Sequence, residues 1–130
     1  MCKRLSTVGL VFAAVLVAGC SSEPPATPEE RVATRAQERL AALMSGDFDK
    51  ALEYTTPTFR QSSSAGAYRS RYGGVGNWTE AIVEQVACEP ESCSVRLQVT
   101  YQMTRPKMEN TRPLDEVWIL AEGEWYIYER

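Results

Sequence analysis

The chain has 130 residues, with 14 basic side chains, 17 acidic side chains and no histidine, and its formal net charge is −3 at pH 7. Lys3 and Arg4 belong to a segment that we expect to be removed, and the remaining 12 basic and 17 acidic residues give the mature chain a net charge of about −5. An acidic chain of this size argues against nucleic acid and anionic lipid headgroups as partners, because both require a basic patch, and it is long enough for one hydrophobic core.

The chain begins with a basic tetrapeptide, MCKR, and then becomes apolar. Residues 5–19 form an almost unbroken apolar run of about 15 residues, which is shorter than the roughly 20 residues of a membrane-spanning helix. A basic start, a short apolar run and small residues are typical of a secretory signal peptide. The motif VAGC at residues 17–20 resembles the lipobox of bacterial lipoproteins, although Val17 stands where leucine is commoner. We therefore predict a lipoprotein signal peptide over residues 1–19. An ordinary signal peptide before a coincidental cysteine is the alternative.

Residues 20–27 are predicted to be a lipidated cysteine followed by a flexible linker. In lipoproteins with this motif the cysteine, here Cys20, is diacylated, and two or more acyl chains hold a protein stably at a membrane whereas one binds marginally. Serine and proline are frequent in the following residues and keep them extended. By resemblance to lipoprotein sorting in Gram-negative bacteria, Ser21 in place of aspartate favours the outer membrane. We expect a palmitate-type anchor in the bacterial cell envelope, with the folded part facing the periplasm.

A long helix is predicted to open a single domain over residues 28–130. Thr27 at the cap, Pro28 at the first helical position and Glu30 form a capping box. The apolar residues that follow at helical spacing are Val32, Ala36, Leu40, Leu43 and Met44. The charged residues expected mostly on the opposite face are Arg35, Glu38 and Arg39. Gly46 is expected to end this helix.

Two short helices are predicted next. Asp47 is expected to cap the first, which ends before Pro57. The second is expected over residues 65–72, and the glycine-rich residues 73–76 end it.

Strands are predicted after residue 77, where the period of the apolar residues changes to two. Residues 93–103 alternate strictly between apolar and polar side chains, which indicates a half-buried strand with residues 79–87 as its hairpin partner. A second hairpin is predicted from residues 117–120 and 125–128. Residues 105–113 are predicted to be a polar connection between the two hairpins. The basic residues of this connection are Arg105, Lys107 and Arg112. They form either a solvated hairpin tip or a binding patch.

Cys88 and Cys93 are the cysteines that remain once Cys2 leaves with the signal peptide and Cys20 carries lipid. An even remainder in an exported chain predicts a disulfide, which closes a short loop and contributes roughly 2 kcal/mol. A metal site is the competing interpretation. Two thiols with no histidine do not complete an ordinary zinc site, so we favour the disulfide and expect no metal and no cofactor.

Helices followed by antiparallel strands predict an α+β fold of one domain, in which N-terminal helices pack on a curved sheet of about four strands. Such an arrangement forms a cone whose open mouth is a pocket. The stretch AQERLAALMSGDFDKALEYTTPTFR resembles the opening of nuclear transport factor 2-like (NTF2-like, cystatin-like) domains, and DEVWILAEGEWYIYER resembles their last hairpin. The likeness spans about residues 28–130.

The resemblance implies two kinds of function. Ketosteroid isomerases and small dehydratases of this fold use an aspartate, or an aspartate with a histidine, inside the cone. This chain has no histidine, and its acids are expected at helix starts or on outward faces of the sheet. These acids are Glu29, Glu30, Asp47, Asp49, Glu80, Glu84 and Asp115. One of them pointing inward would make the chain a small isomerase or dehydratase with a single buried carboxylate.

Aromatic residues are the other candidates for a site, and the alternative is that they only fill the core. The residues expected to line the cone are Tyr54, Phe59, Tyr68, Trp78, Tyr101, Trp118 and Trp125. Alternation places aromatics on both faces of the second hairpin, which a homodimer through the open sheet face would cover.

We expect a non-enzymatic, lipid-anchored module with no catalytic residue. It would act as an accessory or scaffold protein in the envelope or as a receptor for a small apolar ligand.

Overall fold

The computed structural model describes residues 19, 20 and 22–130. Most of the predicted signal peptide and Ser21 therefore lie outside the described residues. The helices are α1 (Pro28–Met44), α2 (Phe48–Leu52), α3 (Pro57–Ser62) and α4 (Ala65–Arg71). The strands are β1 (Trp78–Cys88), β2 (Ser92–Thr104), β3 (Lys107–Ala121) and β4 (Glu124–Ile127). No helix in the described part of the chain has the length and apolar character needed to cross a membrane.

The predicted capping box starts α1. The Glu30 N–H donates to Thr27 Oγ1 at 3.2 Å, and the Thr27 N–H donates to Glu30 Oε2 at 2.8 Å. At the other end Gly46 has a φ of +77°, in the left-handed region that glycine adopts without strain. The predicted start and end of this helix are confirmed.

The predicted short helices are present as α2 and α4, and a further one, α3, was not predicted. Asp47 caps α2 by accepting the Lys50 N–H at 3.0 Å. Thr56 caps α3 by accepting the Phe59 N–H at 3.3 Å. The prediction for Pro57 was the end of the preceding helix, but proline is also favoured at the first position of a helix, and Pro57 has that role in α3.

The four strands form an antiparallel sheet in the order β1-β2-β3-β4. On β2 the predicted alternation is confirmed as far as Val99, with Val95, Leu97 and Val99 buried against α1 and the remainder of the core, whereas Met103 at the far end of the strand is exposed. The outer face of the sheet carries exposed apolar residues, among them Ile82 and Val117. A homodimer through that face stays a prediction. The predicted α+β fold of helices on a curved four-stranded sheet is confirmed.

The prediction of a polar connection over residues 105–113 is wrong. Strand β3 begins at Lys107 and pairs continuously with β2, so that only Arg105 and Pro106 separate the two strands. Residues 107–113 are all exposed, and for this reason their sequence lacks the apolar alternation that identifies a half-buried strand.

The predicted disulfide between Cys88 and Cys93 is confirmed. The two residues face each other across the β1–β2 hairpin, and Cys93 is buried in the core beneath α1. The bridge therefore fixes the register of β1 on the inner strand β2.

Candidate functional site

A buried charge lies between α1 and the sheet. The Arg39 side chain is fully buried, with 0% of it exposed, although sequence analysis placed this residue mostly on the solvent face. That prediction is wrong because Arg39 lies one turn after Ala36 on the buried stripe of the helix. A buried guanidinium requires compensating charges and acceptors, and the structure supplies them.

The compensating groups form a cluster that we call the Arg39 network, which consists of Arg39, Tyr68, Tyr72, Glu116 and Glu129. Arg39 Nη1 donates to Glu116 Oε1 at 2.7 Å, and Arg39 Nη2 donates to Glu129 Oε1 at 3.2 Å. Arg39 Nε and Nη2 donate to the Tyr68 hydroxyl at 3.0 and 2.8 Å. No buried polar side-chain atom in the described chain lacks a hydrogen-bond partner, and the network is therefore internally satisfied.

Glu129 is the point on which the donors converge. Its carboxylate accepts from Arg39, from the Tyr68 hydroxyl at 3.0 Å and from the Tyr72 hydroxyl at 2.5 Å. Arg71 Nη2 lies 3.1 Å from its second oxygen. The Glu129 side chain is only 4% exposed, two residues beyond the end of β4. Charge-assisted bonds of this kind are stronger than neutral ones and hold the carboxylate in one place.

Glu116 is held in the same way from the sheet. Its second oxygen accepts the Trp118 indole N–H at 3.0 Å, which orients the carboxylate toward Arg39. Glu116 and Trp118 lie two residues apart on β3 and therefore on the same face.

Burial determines how the network titrates. Burial raises the pKa of Tyr72 to about 12, although the nearby Arg39 charge opposes the rise. Burial also raises the pKa of Tyr68. Burial alone would lower the pKa of Arg39, but the Glu116 carboxylate and the Tyr68 hydroxyl outweigh it and raise that pKa. The guanidinium stays charged and both hydroxyls stay protonated donors at neutral pH.

A cleft of about 500 Å³ opens beside the network. It lies between α3, the end of β3 and the residues after β4, and Glu129 forms part of its wall. Its apolar lining comes from Pro57, Phe59, Ile119 and Tyr128. One wall of this cleft is therefore apolar, and its polar end is Glu129, which pairs with the fully buried Arg39 guanidinium. We refer to it below as the cleft.

The aromatic residues predicted to line a pocket occupy different places. Phe59 lies on the cleft, while Tyr68 and Trp118 belong to or contact the Arg39 network. The remaining predicted residues lie apart from this site. Tyr54 and Trp125 are buried in the core, and Trp78 and Tyr101 are half-buried.

Four residues of the site were not predicted from the sequence, namely Arg39, Tyr72, Glu116 and Glu129. The acids that sequence analysis considered lie outside the network, at helix starts or at exposed strand positions. The sequence does contain a signal for two of these four residues. Glu116 is two residues before the large apolar Trp118, and Glu129 is two residues after the apolar Ile127. Alternation along a strand places such residues on the buried face.

The network is suited to recognition of a carboxylate. A guanidinium and two hydroxyls present convergent donors to one anionic group in a site where water is largely excluded. In the described chain no group of three or more histidine, cysteine, aspartate or glutamate side chains is placed to hold a metal ion.

Known structures match the fold. An NTF2-like protein of unknown function from Shewanella oneidensis MR-1 is 11% identical, with a TM-score of 0.55 over 75% of this chain and 91% of that one. A SEC-C motif containing protein from Rhodopseudomonas palustris is 21% identical, with a TM-score of 0.58 over 73% of each chain. Another from Psychrobacter arcticus is 10% identical, with a TM-score of 0.64 over 81% of this chain and 62% of that one, so this chain spans less than two thirds of its length.

At these identities the likeness concerns the fold alone, and the chain has an NTF2-like α+β cone. No protein-family model matches the sequence, and no curated protein matches it either.

Proposed function

We propose that the chain is a lipid-anchored binding module of the bacterial cell envelope, which holds a small, largely apolar ligand in the cleft without catalysing a reaction. The cleft itself is the observation that carries this proposal. Its volume of about 500 Å³ lies within the range of small-molecule sites, and such sites combine an apolar lining with a few polar groups.

The Arg39 network supports binding over catalysis. A general base needs a carboxylate oxygen that is available to a substrate proton. Both oxygens of Glu129 and of Glu116 already accept hydrogen bonds or lie in ion pairs within the protein. The competing proposal, a small isomerase or dehydratase, would have to use Glu129, because this buried carboxylate reaches the cleft.

The anchor is supported by the residues that precede the domain. Cys20 is exposed and lies outside the disulfide. Residues 22–27 have no helix or strand and are exposed, in agreement with a flexible linker between a lipidated cysteine and the first helix. Ser21 supports retention at the outer membrane.

The anchor is tested by mass spectrometry of the mature protein purified from bacterial membranes. We expect an N-terminal Cys20 with a diacylglycerol mass, and we expect the Cys20→Ser variant to lack this mass and to leave the membrane fraction. An unmodified mature chain that begins beyond Cys20 would contradict the anchor.

The cleft is tested with N-phenylnaphthylamine, an apolar dye that fluoresces when it leaves water. We expect saturable binding to the mature protein, and about tenfold weaker binding to Ser62→Trp, which fills the cleft. Ser70→Trp adds the same side chain at an exposed position of α4 outside the cleft, and it should bind the dye as the unaltered protein does. Equal loss in both variants, or no saturable binding, would refute the proposed ligand site.

A further inference from the structure

We propose that Arg39, Tyr68 and Tyr72 form a carboxylate-binding site that Glu129 occupies from within the chain, and that a small apolar carboxylic acid in the cleft competes with Glu129 for it. This inference rests on the proposed function, because it names the class of ligand for the same cleft.

The donors and their acceptor come from different parts of the fold. Arg39 lies on α1, Tyr68 lies on α4, and Tyr72 follows α4 directly. Glu129 lies in the segment after β4, where residues 128–130 form neither helix nor strand. The helices therefore hold the donors as one preformed group, whereas their acceptor belongs to a segment outside the helices and strands, which the Tyr128 N–H joins to the Val117 carbonyl of β3 at 2.8 Å.

Arg39 keeps one counter-ion when Glu129 leaves. Glu116 stays paired with Arg39 at 2.7 Å, and the buried guanidinium therefore never lacks a counter-ion. With Glu129 withdrawn, Arg71 loses the carboxylate that lies 3.1 Å from its Nη2, and the charges of Arg39 and Arg71 are offset by Glu116 alone, which leaves one net positive charge. A single carboxylate has the charge and the acceptor oxygens that this arrangement requires.

The cleft gives such a ligand both access and a place for its apolar part. Glu129 is part of the cleft wall, next to the side chains of Phe59, Ile119 and Tyr128. A ligand whose carboxylate replaces that of Glu129 can rest its aromatic or aliphatic part on these side chains. An aromatic acid such as benzoate combines the two features in one small molecule.

The test compares benzoate binding by the mature protein and by its Glu129→Ala variant. Benzamide, which is neutral and of similar shape, is the ligand control. We expect benzoate to bind Glu129→Ala at least about tenfold more tightly than the unaltered protein, because removal of the internal competitor leaves the site open in every molecule. We also expect benzoate, and not benzamide, to raise the midpoint of thermal unfolding of this variant in a saturable way.

A matched variant removes a paired carboxylate outside both the network and the cleft. Glu124 pairs with Arg31 at 3.3 Å, and Glu124→Ala should bind benzoate as weakly as the unaltered protein does. The proposal is overturned if Glu129→Ala is folded by circular dichroism and yet shows no preference for benzoate over benzamide. It is equally overturned if Glu124→Ala gains benzoate binding to the same extent.

A second variant at Glu129 and a second ligand complete the test. If Glu129→Ala does not fold, Glu129→Gln replaces it, since the amide keeps the shape but competes less well for cationic donors. The absence of any gain in benzoate binding by Glu129→Gln overturns the proposal.

N-phenylnaphthylamine, which carries no carboxylate, separates the carboxylate-binding site from the proposed binding of apolar ligands in the cleft. Dye binding without a benzoate gain refutes the carboxylate site alone, and a benzoate gain without dye binding refutes the cleft as a receptor for neutral apolar ligands.

Discussion

Arg39 is a buried cation with five N–H donors in a fixed plane, and the network uses this geometry by placing acceptors on two sides of it. Lysine would bring the charge but not the planar fork, so the two residues are not interchangeable at this position. The paired carboxylates are on different elements, and one side chain therefore ties α1 both to β3 and to the residues after β4.

The first prediction is that Arg39→Ala lowers the free energy of unfolding by about 3–5 kcal/mol, because it leaves two carboxylates without their buried partner. Urea unfolding measures this loss. Arg31→Ala is the matched control, since Arg31 pairs with Glu124 at 3.3 Å while its side chain is 42% exposed. An exposed pair contributes about 0–1 kcal/mol, and equal losses in the two variants would contradict the role of the network in stability.

The second prediction concerns alkaline pH. Tyr72 has an ordinary pKa of 10.0, and burial raises it to about 12 in the folded protein. The folded state therefore holds this proton more tightly than the unfolded state does. The resulting stability is complete below pH 10 and is lost as the pH rises toward 12.

The free energy of unfolding should accordingly fall by about 2–3 kcal/mol over this interval, and the raised pKa of Tyr68 should add to the fall. Urea unfolding at a series of pH values measures the slope. Tyr72→Phe should show a shallower slope than the unaltered protein, whatever its stability at neutral pH. An unchanged slope would show that Tyr72 does not contribute.

At the scale of elements, the two edges of the sheet are protected in different ways. Gln37 on α1 covers β1, since its Nε2 donates to the Ala81 carbonyl at 3.0 Å and its Oε1 accepts the Val83 N–H at 3.2 Å. Strand β4 pairs with Trp118–Ala121 of β3 and, through Ile127, with Thr55, so that in the described part of the chain residues 107–116 form an open edge. Open edges are sites of association between sheets.

Proline at position 113 interrupts this open edge. The Tyr128 N–H donates to the Val117 carbonyl on the β4 side, whereas the Leu120 N–H donates to the Glu91 carbonyl on the β2 side. Backbone groups alternate in direction along an antiparallel strand, and Pro113, like Val117, therefore faces the open edge, where it supplies no N–H.

The third prediction is that Pro113→Val makes the protein associate as its concentration rises, because valine restores the missing donor on a residue that favours strands. Sedimentation velocity over a range of concentrations measures the effect. Thr111→Val adds a similar side chain at an edge position that already has its N–H, and it should remain as monodisperse as the unaltered protein. Association of both variants to the same extent would show that the added apolar side chain, and not the backbone N–H gained at position 113, causes the association.

The elements also show what a sequence can predict. Helix α1 and strand β2 were predictable because each has one buried face, and burial produces a period in the sequence. Residues 107–115 of β3 are all exposed, and their sequence therefore has no such period. The network was not predictable for a different reason. It joins Arg39 to Glu129 across 90 positions of the chain, and only the packing of α1 against the sheet brings them together.

At the scale of the whole molecule, the residues of the proposed anchor lie apart from the folded domain. Among the described residues, the hydrogen bonds that join the N-terminal segment to the domain begin at Thr27, and Cys20 and residues 22–26 are exposed. Lipid on Cys20 would therefore position the domain at a membrane without contributing to its fold. An extended chain reaches roughly 3.3–3.6 Å per residue, so a linker over residues 20–27 would keep the domain and its cleft close to the bilayer surface.

The fourth prediction separates these two roles. Cys20→Ser should move the protein from the membrane fraction to the soluble fraction and leave the midpoint of thermal unfolding of the purified domain unchanged. Thr27→Ala should do the reverse, because it breaks the capping box of α1 and costs about 1 kcal/mol, whereas it leaves Cys20, the proposed site of lipidation, unchanged. Fractionation and thermal unfolding of both variants measure the four outcomes. A lowered midpoint in Cys20→Ser would mean that the anchor segment packs on the domain, and retention of that variant in the membrane would mean that something other than lipid holds the protein there.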